Sequence, residues 1–308
     1  DGAMLKYFLK RIVSSVITIF MIITITFFLM KAIPGNPFAD EKMPNPEIRA
    51  AMMEKYGLNK PVIEQYFVYL GNFIRGDFGV SYTRAGITVN KVIADGFPYS
   101  LTIGLYASLI VVFAGIGFGV MCALNQNKFI DRFFMVLSTL GATIPSFVLA
   151  TGFLFIFSKT LGWVPAFGVD TAAGYIGPIV VIGAFSLSFI TRLTRTSLLE
   201  VQQQDYIRTA RAKGMSNGQV MLRHVLRNSL IPVVTYLGQD IGALMGGAMI
   251  TEQIFNIHGI GFLTYQSILK GEANLVVSIV TLLMLIFVVC NLVVDMLYAA
   301  LDPRIRYA

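Results

Sequence analysis

Charged side chains are scarce in this sequence. Only 13% of its 308 residues are Asp, Glu, Lys or Arg, whereas 56% are hydrophobic. Soluble domains carry roughly 25% charged residues, so this chain has about half of the expected charge. Most of its surface must therefore face something other than water. The formal net charge of +7 fits either a nucleic acid or an anionic membrane, and the distribution of the charges has to decide between them.

Reactive groups at workable spacings are missing as well. Cys122 and Cys290 lie in separate apolar runs and form no CxxC pair, which excludes a zinc site of that type and a disulfide framework. The sequence contains no G-x-x-x-x-G-K-[ST] phosphate loop, no H-E-x-x-H and no G-x-S-x-G. The two histidines, His224 and His258, are predicted to lie on opposite faces of a membrane. We therefore expect no catalytic residue, no metal and no cofactor in this chain, and do not expect it to be an enzyme.

Long hydrophobic runs are what the sequence has instead. A bilayer core of about 30 Å requires about 20 apolar residues in a helix. The runs predict an all-α integral membrane protein with six transmembrane helices, the first of them within 4–30. The other spans are predicted at 100–124, 133–157, 171–191, 229–251 and 275–294. Residues 1–3, which precede Met4, are typical of a cloning remnant.

The distribution of Lys and Arg predicts the orientation of these spans. Fourteen of them would lie on one side of the membrane: Lys6, Lys10, Arg11, Lys128, Arg132, Arg192, Arg195, Arg208, Arg211, Lys213, Arg223, Arg227, Arg304 and Arg306. The two shorter loops of the other side hold only Lys159 and Lys270. The positive side faces the cytoplasm. Both termini, including the tail 301–308, and the loop 192–228 are therefore predicted to be cytoplasmic, and the segment 31–99 extracellular. Within this segment, one helix is predicted to start near Glu47 and a second, amphipathic helix to run from Val62 to Ile74.

The cytoplasmic loop 192–228 has the local pattern of a helix-turn-helix. Its first helix would end at Lys213 and Gly214, and a capping box of Ser216 and Gln219 would begin a second one. Taken alone, the segment could bind DNA, but a loop tethered at both ends to membrane helices is too short for an independent DNA-binding domain. Its arginines could also be only the topology signal. The defined turn favours a docking element over a passive tether.

The segment "DYIRTARAKGMSNGQVMLRHVLRNSLIP" (205–232) resembles the cytoplasmic EAA loop of ABC-importer permeases, in the form of the oligopeptide/dipeptide branch. That pattern is Glu-Ala-Ala, three residues, Gly, nine residues and Ile-x-Leu-Pro. In this chain the second alanine, the glycine and the leucine are matched by Ala210, Gly214 and Leu226. The departures are Arg208 and Thr209 for Glu-Ala, His224 for Ile and Arg227 for Pro.

Four further segments resemble the same branch in the same order: "AIPGNPF" (32–38), "YGLNKPVIEQYFVYLGNFIRGDFGVSY" (56–82), "GALMGGAMITEQIFNIHGIGFL" (242–263) and "LDPRIR" (301–306). The resemblance implies the type I (MetI-like) transmembrane fold in 100–300 and a multi-pass permease of the bacterial plasma (inner) membrane. It also implies a homologous second permease, two ABC ATPases that bind ATP and Mg²⁺, and an extracellular substrate-binding lipoprotein. The cargo would be a peptide, and no nucleic acid would be a partner.

The resemblance also assigns the ATPase-coupling role to the loop, whose short helix after the glycine would sit in a groove of the ATPase. The residues that would form or border this docking element are Ala210, Gly214, Met215, Ser216, Gly218, Val220 and Met221. Arg208, Arg211 and Arg223 are candidates for polar contacts with the ATPase or with lipid headgroups.

Polar side chains within the spans are candidates for the translocation path. Asp240, the one carboxylate predicted deep in a span, could line it together with Gln239 or could form a structural pair with the second permease. Four hydroxyls near Pro145 are further candidates: Ser138, Thr139, Thr143 and Ser146. Ser and Thr can equally bond to carbonyl groups of their own helix, so both interpretations stay open.

Small residues repeat every four positions in two spans. Gly238, Gly242 and Gly246 do so in the fifth span, and Gly115 and Gly119 in the second. Such stripes allow close helix packing in lipid and could also let spans slide during transport.

Several functional alternatives remain at this level. The same fold could import nickel chelates, glutathione or another small solute. A gradient-driven secondary carrier would require paired charges in the membrane, of which the sequence offers only Asp240. An intramembrane enzyme lacks a catalytic constellation.

Overall fold

The computed structural model describes residues 2–32, 50–51, 53–54, 57–81, 83–84 and 86–301, with side chains described from residue 9 to residue 293 within these ranges. Residues 302–308 of the predicted tail and the start of the helix predicted from Glu47 lie outside them. The described residues are helical apart from turns, loops and one isolated β-bridge between Val80 and Thr88. The all-α prediction is confirmed.

Thirteen α-helices are numbered here in chain order within the described ranges. They are α1 Gly2–Ala32, α2 Val62–Ile74, α3 Val89–Ile110, α4 Ile116–Leu124, α5 Phe129–Thr143, α6 Ser146–Phe153, α7 Ile176–Gln202, α8 Asp205–Ala212, α9 Asn217–Val220, α10 Leu226–Met245, α11 Met249–Ile254, α12 Ile260–Lys270 and α13 Ala273–Leu301. Three π-helical segments interrupt or extend them: Val111–Gly115, Leu154–Thr160 and Met221–Val225.

Five helical stretches of the described residues are long and apolar enough to cross a membrane. They are Leu9–Ala32, Val89–Leu124, Ala172–Gln202, Asn217–Ile254 and Ala273–Val293. The third predicted span, 133–157, is not one straight helix, because α5 and the Ser146–Thr160 stretch meet at 108°. Pro145 stands at this break, where it begins α6 and cannot continue α5. The described residues therefore contain five candidate spans, or six if the bent pair counts as one.

Several helices extend beyond the predicted spans or end within them. The helix of the second span begins at Val89, before the predicted start at 100, and includes the polar residues Asn90, Lys91 and Asp95. The fourth continues to Gln202, eleven residues into the predicted loop. The fifth is broken after Met245, where Gly247 takes a positive φ of 80° and prevents one helix over 229–251.

The contacts divide the chain into two compact units. Residues 1–100 and 258–286 form the first, whose core joins α1, α2 and the start of α13 through Phe27, Tyr66, Tyr69 and Val277. A second cluster of this unit gathers Val89, Ile93, Ile260 and Ile279. Helix α2 has the bounds predicted from the sequence.

Residues 101–257 and 287–308 form the second unit. Helix α7 lies at its centre and packs against α4, α5 and α10. Ile190 on α7 is fully buried between Val111 and Val233. At the far end of α7, Leu198 joins a cluster that includes Ile207 and Val220. This last cluster packs the loop between α7 and α10 against the end of the central helix.

Candidate functional site: the loop between α7 and α10

The turn between α8 and α9 is fixed by backbone hydrogen bonds. Helix α8 ends at Ala212, and Gly214 adopts a positive φ of 82°. The amide of Gly214 donates to the carbonyl of Arg211 at 3.0 Å, and that of Met215 to the carbonyl of Ala210 at 3.3 Å. These two bonds form a Schellman motif, which ends α8 and satisfies two of its last carbonyls. Gly214 therefore has the position that the sequence predicted, one residue beyond the helix cap.

Both bonds of the predicted capping box are present at the start of α9. The amide of Gln219 donates to Ser216 Oγ at 3.3 Å, and the amide of Ser216 donates to Gln219 Oε1 at 3.2 Å. Two amides without helical partners are satisfied in this way. The turn between Gly214 and Ser216 is thus specified on both sides, and it holds α9 at a defined angle to α8.

The inner side of this element is buried. Ile207 and Val220 are 0% and 1% exposed and pack with Leu198 of α7 and Ala123 of α4. Ala210 is also buried, and Met215 and Met221 are half-buried against the same cluster. Ala210 and Val220 of the predicted docking set therefore hold the loop together, and their side chains present no surface.

The outer side is exposed and carries one large apolar residue. Asn217, Gly218 and Gln219 of α9 are exposed, and Leu222 of the following π-segment is 68% exposed. We call these four residues the α9 surface. The sequence prediction missed Leu222, although its place between Met221 and Arg223 was visible. Which of two adjacent apolar residues faces outward depends on the π-helical register of Met221–Val225, which the sequence pattern did not indicate.

The three arginines of the predicted set surround this surface without strong pairing. Arg208, Arg211 and Arg223 are exposed. Arg208 lies 3.7 Å from Asp205, and both side chains are at least three-quarters exposed. Contacts of this kind contribute little to stability. Arg211 also lines a cleft of about 380 Å³ beside Gln202 and Asn217. The arginines are therefore available to a partner or to headgroups.

The second helix of the loop does not end before the membrane. Helix α9 passes through the π-segment directly into α10, and Pro232 lies inside α10. The first helix of the loop, α8, is separate from α7, because the helical conformation is interrupted at Gln203 and Gln204. The α9 surface is thus joined by continuous helix to the fifth candidate span.

Asp240 lies on α10 and faces α7. Ser186 Oγ of α7 donates to Asp240 Oδ1 at 2.8 Å, whereas Oδ2 is buried without a hydrogen-bond partner among the described residues. Gln239 and Thr235 of α10 are exposed and one turn apart. The hydroxyl of Thr235 donates to the carbonyl of Ile231 at 2.8 Å, so that the amide of Gln239 is the exposed polar group to be explained. A polar side chain that is exposed to hydrocarbon is costly. This side of α10 therefore suits an aqueous path or another subunit better than lipid.

The hydroxyls near Pro145 do not act as one group. Thr139 and Thr143 donate to carbonyls of their own helix, of Met135 and Thr139, at 2.8 Å each. Ser138 is buried. Ser146 is exposed, and with Thr143 it lines a cleft of about 320 Å³ at the α5–α6 break. The break brings Thr143 and Ser146 together at one cleft, which Asp240 does not line.

The glycines of the two predicted stripes do not all lie at close helix contacts. A Cβ on Gly119 would lie 2.5 Å from Thr194 Cβ, and one on Gly115 would lie 2.7 Å from Ile190 Cγ2. Gly242 allows an approach of Phe287. Gly238 is buried on α10, whereas Gly246 follows the end of that helix and does not continue the stripe. The sequence prediction missed Gly104, where a Cβ would lie 2.6 Å from Met245 Cα.

Comparison with known protein families gives two matches that together cover almost the whole chain. Residues 115–307 match the binding-protein-dependent transport system inner membrane component family. Residues 4–104 match the N-terminal part described for membrane components of the same transport systems.

The relatives that match over their full length are also permease proteins of transport systems. The chain is 40% identical over 306 residues to the oligopeptide transport system permease protein OppB of Haemophilus influenzae, covering 99% of this chain and 100% of the relative. It is 37% identical over 303 residues to the dipeptide transport system permease protein DppB of Bacillus subtilis, covering 98% of each. It is 35% identical over 308 residues to the glutathione transport system permease protein GsiC of Shigella flexneri, covering 99% of this chain and all of the relative.

Among solved structures, an inward-facing conformation of the MetNI methionine ABC transporter resembles this chain with a TM-score of 0.56 at 19% identity. The match covers 68% of this chain and 96% of that one. It supports the predicted MetI-like fold and, at this identity, the fold alone. With families matched over both parts of the sequence and relatives aligned over nearly its whole length, the chain belongs to the inner membrane components of binding-protein-dependent transport systems.

Proposed function

We propose that this chain is one permease subunit of an ATP-driven peptide importer, which forms half of the translocation pathway and is coupled to an ATPase through the α9 surface. The observation that carries the coupling role is the contrast between the two sides of the cytoplasmic loop. Its inner side is buried and fixed by a Schellman motif and a capping box, whereas its outer side leaves Leu222 68% exposed. A rigid element that presents an apolar side chain amid cations fits a groove with an apolar centre and an acidic rim.

The remaining partners follow from the family. Its members are membrane components of transport systems that depend on a binding protein, which supports an extracellular substrate-binding lipoprotein. This chain has no phosphate loop, so ATP and Mg²⁺ would be bound by two ABC ATPase subunits. A homologous second permease would supply the other half of the pathway. We place both termini and the α9 surface in the cytoplasm, on the basis of the Lys and Arg distribution.

We assign the translocation path to the exposed polar side of α10. Gln239 and Thr235 are exposed there, and Asp240 keeps one carboxylate oxygen without a partner among the described residues. Ser146 and Thr143, in the cleft at the α5–α6 break, are a second polar lining. Hydroxyl, amide and carboxylate groups suit the main chain of peptides with varied side chains. Ser138 is buried and Thr139 does not line this cleft, so we leave these two out of the path.

Thiol crosslinking tests the docking of the α9 surface. In a background without Cys122 and Cys290, we would place a single cysteine by Gly218→Cys, where a Cβ meets no atom within 4 Å. Gly117→Cys is the matched control, because it is equally open but lies in α4. We expect a crosslink from position 218 to an ATPase subunit and none from position 117. Equal crosslinking, or none from position 218 in an active transporter, would contradict the assignment.

A transport assay tests the function as a whole. We expect purified chain, reconstituted in vesicles with the second permease, the ATPases and the binding protein, to accumulate labelled peptide only when ATP is present. Leu222→Asp should lower both uptake and peptide-stimulated ATP hydrolysis, because a charge at the centre of an apolar contact is desolvated without a partner. ATP-driven uptake that is unaffected by this substitution would refute the coupling role.

Glutathione is a second candidate cargo, because the glutathione permease of Shigella flexneri matches this chain over its full length at 35% identity. Competition in the same vesicles distinguishes the two. If peptides are the cargo, unlabelled glutathione should leave the uptake of labelled peptide unchanged. If glutathione is the cargo, the vesicles should take up labelled glutathione when the matching binding protein is supplied, and unlabelled glutathione should abolish that uptake.

A further inference from the structure

Helix α2 has two apolar faces. Tyr66 and Tyr69 are buried and point into the first unit. Ile63, Phe67 and Ile74 are 55%, 63% and 78% exposed. Their spacing of four and seven residues places them along one line of the helix, beside the buried face. An exposed apolar stripe of this kind marks an interaction surface.

The remaining side of α2 carries its polar residues, with Val68, which is 54% exposed, among them. Glu64 forms an ion pair with Lys60 at 2.6 Å. Gln65 accepts from Lys31 Nζ at 2.6 Å and donates to the carbonyl of Lys60 at 2.7 Å. Asn72 lines a cleft of about 460 Å³ together with Lys31 and Gln65. An exposed apolar stripe beside polar residues is the pattern of a helix in a membrane interface. The buried face with Tyr66 and Tyr69 in addition packs this helix against the first unit.

The contacts with α1 give the depth of α2. The ring of Phe27 lies 5.5 Å from that of Tyr66 and 5.7 Å from that of Tyr69. Phe27 precedes the end of the candidate span at Ala32 by five residues, which is about 7.5 Å of helix. The hydroxyl of Tyr66 reaches further and lies 2.8 Å from Thr24 Oγ1. Helix α2 thus packs beside the span and not beyond its end.

The contact of α2 with α13 gives an independent position of α2 along a candidate span. The hydroxyl of Tyr69 lies 3.0 Å from Ser278 Oγ. Ser278 follows Ala273, where this candidate span begins, by five residues, which is again about 7.5 Å along the helix. Two candidate spans therefore place the tyrosines of α2 about 7.5 Å along the helix from the span ends, which lies within the 5–10 Å to which interfacial helices bury their apolar faces.

Exposed apolar side chains lie on α1 as well as on α2. Leu29 and Phe28 on α1 are 60% and 39% exposed within the candidate span. The ring of Phe28 lies 5.3 Å from that of Tyr66, and the ring of Tyr66 lies 5.4 Å from that of Phe67. The exposed apolar side chains of α1 and of α2 therefore lie on either side of the buried ring of Tyr66.

From this geometry we propose that α2 is embedded in the membrane interface on the side where α1 ends, with Ile63, Phe67 and Ile74 in contact with lipid acyl chains. The polar side, with Glu64 and Gln65, faces the headgroups and water. The segment predicted as an extracellular loop over 31–99 then contains a piece that belongs to the bilayer. This proposal is independent of the cargo and of the coupling role.

Fluorescence quenching by lipid tests the depth. Trp163 is the only tryptophan of the chain, so Trp163→Phe provides a silent background for Phe67→Trp and Ile74→Trp. In vesicles of brominated phosphatidylcholine, we expect both to emit at short wavelength and to lose intensity most with bromine near the headgroup end of the acyl chain. Glu64→Trp is the control on the polar side, which aqueous iodide should quench. Quenching of positions 67 and 74 by iodide, with no effect of brominated lipid, would overturn the proposal.

The second measurement is made in cells that contain the complete transporter. A photoreactive benzoylphenylalanine at position 67 should give no protein crosslink, because lipid covers the stripe. A major crosslink from position 67 to the second permease or to a binding protein would show that protein covers this face, and would equally overturn the proposal.

Discussion

Arg195 and Asp131 form a two-pronged ion pair between α7 and α5. Arg195 Nε donates to Asp131 Oδ1 at 2.6 Å, and Nη2 donates to Oδ2 at 2.8 Å. The amide of Asn127 also donates to Oδ2, at 2.9 Å. The carboxylate is 4% exposed and the guanidinium side chain 22%. The sequence analysis counted Arg195 only as a topology signal and did not find its partner.

We expect Asp131→Asn and Arg195→Gln each to lower the free energy of unfolding by about 3 kcal/mol, since each leaves a largely buried charge without its partner. The double variant should lose less than the sum of the two, because neither charge then remains. Thermal unfolding of the purified chain in detergent, with the three variants side by side, measures this. Single losses below about 0.5 kcal/mol would show that the pair behaves like an exposed one.

Two glycines of α4 form a matched test of close packing. Gly119→Ala should destabilise the protein by about 1–3 kcal/mol, because its Cβ would lie 2.5 Å from Thr194 Cβ and 2.8 Å from the carbonyl oxygen of Thr191. Gly117→Ala meets no atom within 4 Å and should be neutral or stabilising by up to about 1 kcal/mol. Melting temperatures in the same detergent compare the two. Equal effects would mean that α4 does not pack against α7 through Gly119.

The stability of the turn before α9 should depend on Gly214 and Ser216 and not on Gly218. Gly214→Ala places a side chain at a φ of 82°, which costs about 1–2 kcal/mol, and Ser216→Ala removes a helix cap worth about 1 kcal/mol. Both should speed amide hydrogen exchange in 205–225. Gly218→Ala, inside α9 with open space around it, should not. Faster exchange in all three variants would argue against the assigned roles of the turn.

Asp240 can be separated from a purely structural residue by its effect on transport. If it lines the path, Asp240→Asn should lower peptide uptake several-fold at unchanged abundance of the protein, with ATP hydrolysis retained. Ser186→Ala, which removes only the donor to Oδ1, should have a smaller effect. Loss of the protein from the membrane in the Asp240→Asn variant would instead support a structural pairing.

Glu272 gives a prediction for the first unit. Its Oε1 accepts from Ser81 Oγ at 2.7 Å, from the amide of Thr83 at 2.8 Å and from the hydroxyl of Thr83, and the residue is 3% exposed. Glu272→Ala should cost about 1–3 kcal/mol, because the buried hydroxyl of Ser81 and the two donors of Thr83 lose their acceptor. Glu64→Ala, at a side chain that is 48% exposed, should stay within about 0.5 kcal/mol. Similar losses at both positions would contradict the importance of this contact.

The membrane helices and the turn of the cytoplasmic loop were accessible from sequence, because both depend on local order. Apolar runs indicate spans, and Gly214 and Ser216 indicate a helix end and a helix start whatever lies around them. The bounds of α2 were predicted for the same reason. The family resemblance, drawn from the loop and four other segments, is confirmed by the matches over 4–104 and 115–307.

The positions of polar partners were not accessible, since they depend on which helices meet. Asp131 and Arg195 are 64 residues apart, and Ser186 and Asp240 are 54 apart. The importance of Gly104 likewise depends on the approach of Leu244 and Met245, and nothing in its neighbouring residues indicates that approach. The outward turn of Leu222 required the π-helical register of Met221–Val225.

The sequence by itself determined that this chain is a helical membrane protein without a phosphate loop, and that the segment around Gly214 is a defined turn. Hydrophobic length and cap chemistry act over a few residues, so they can be read along the chain. The tertiary structure decided which side of the loop is buried, where the span near Pro145 breaks, and how deep α2 lies beside α1 and α13. These depend on contacts between distant segments, which a linear pattern does not contain.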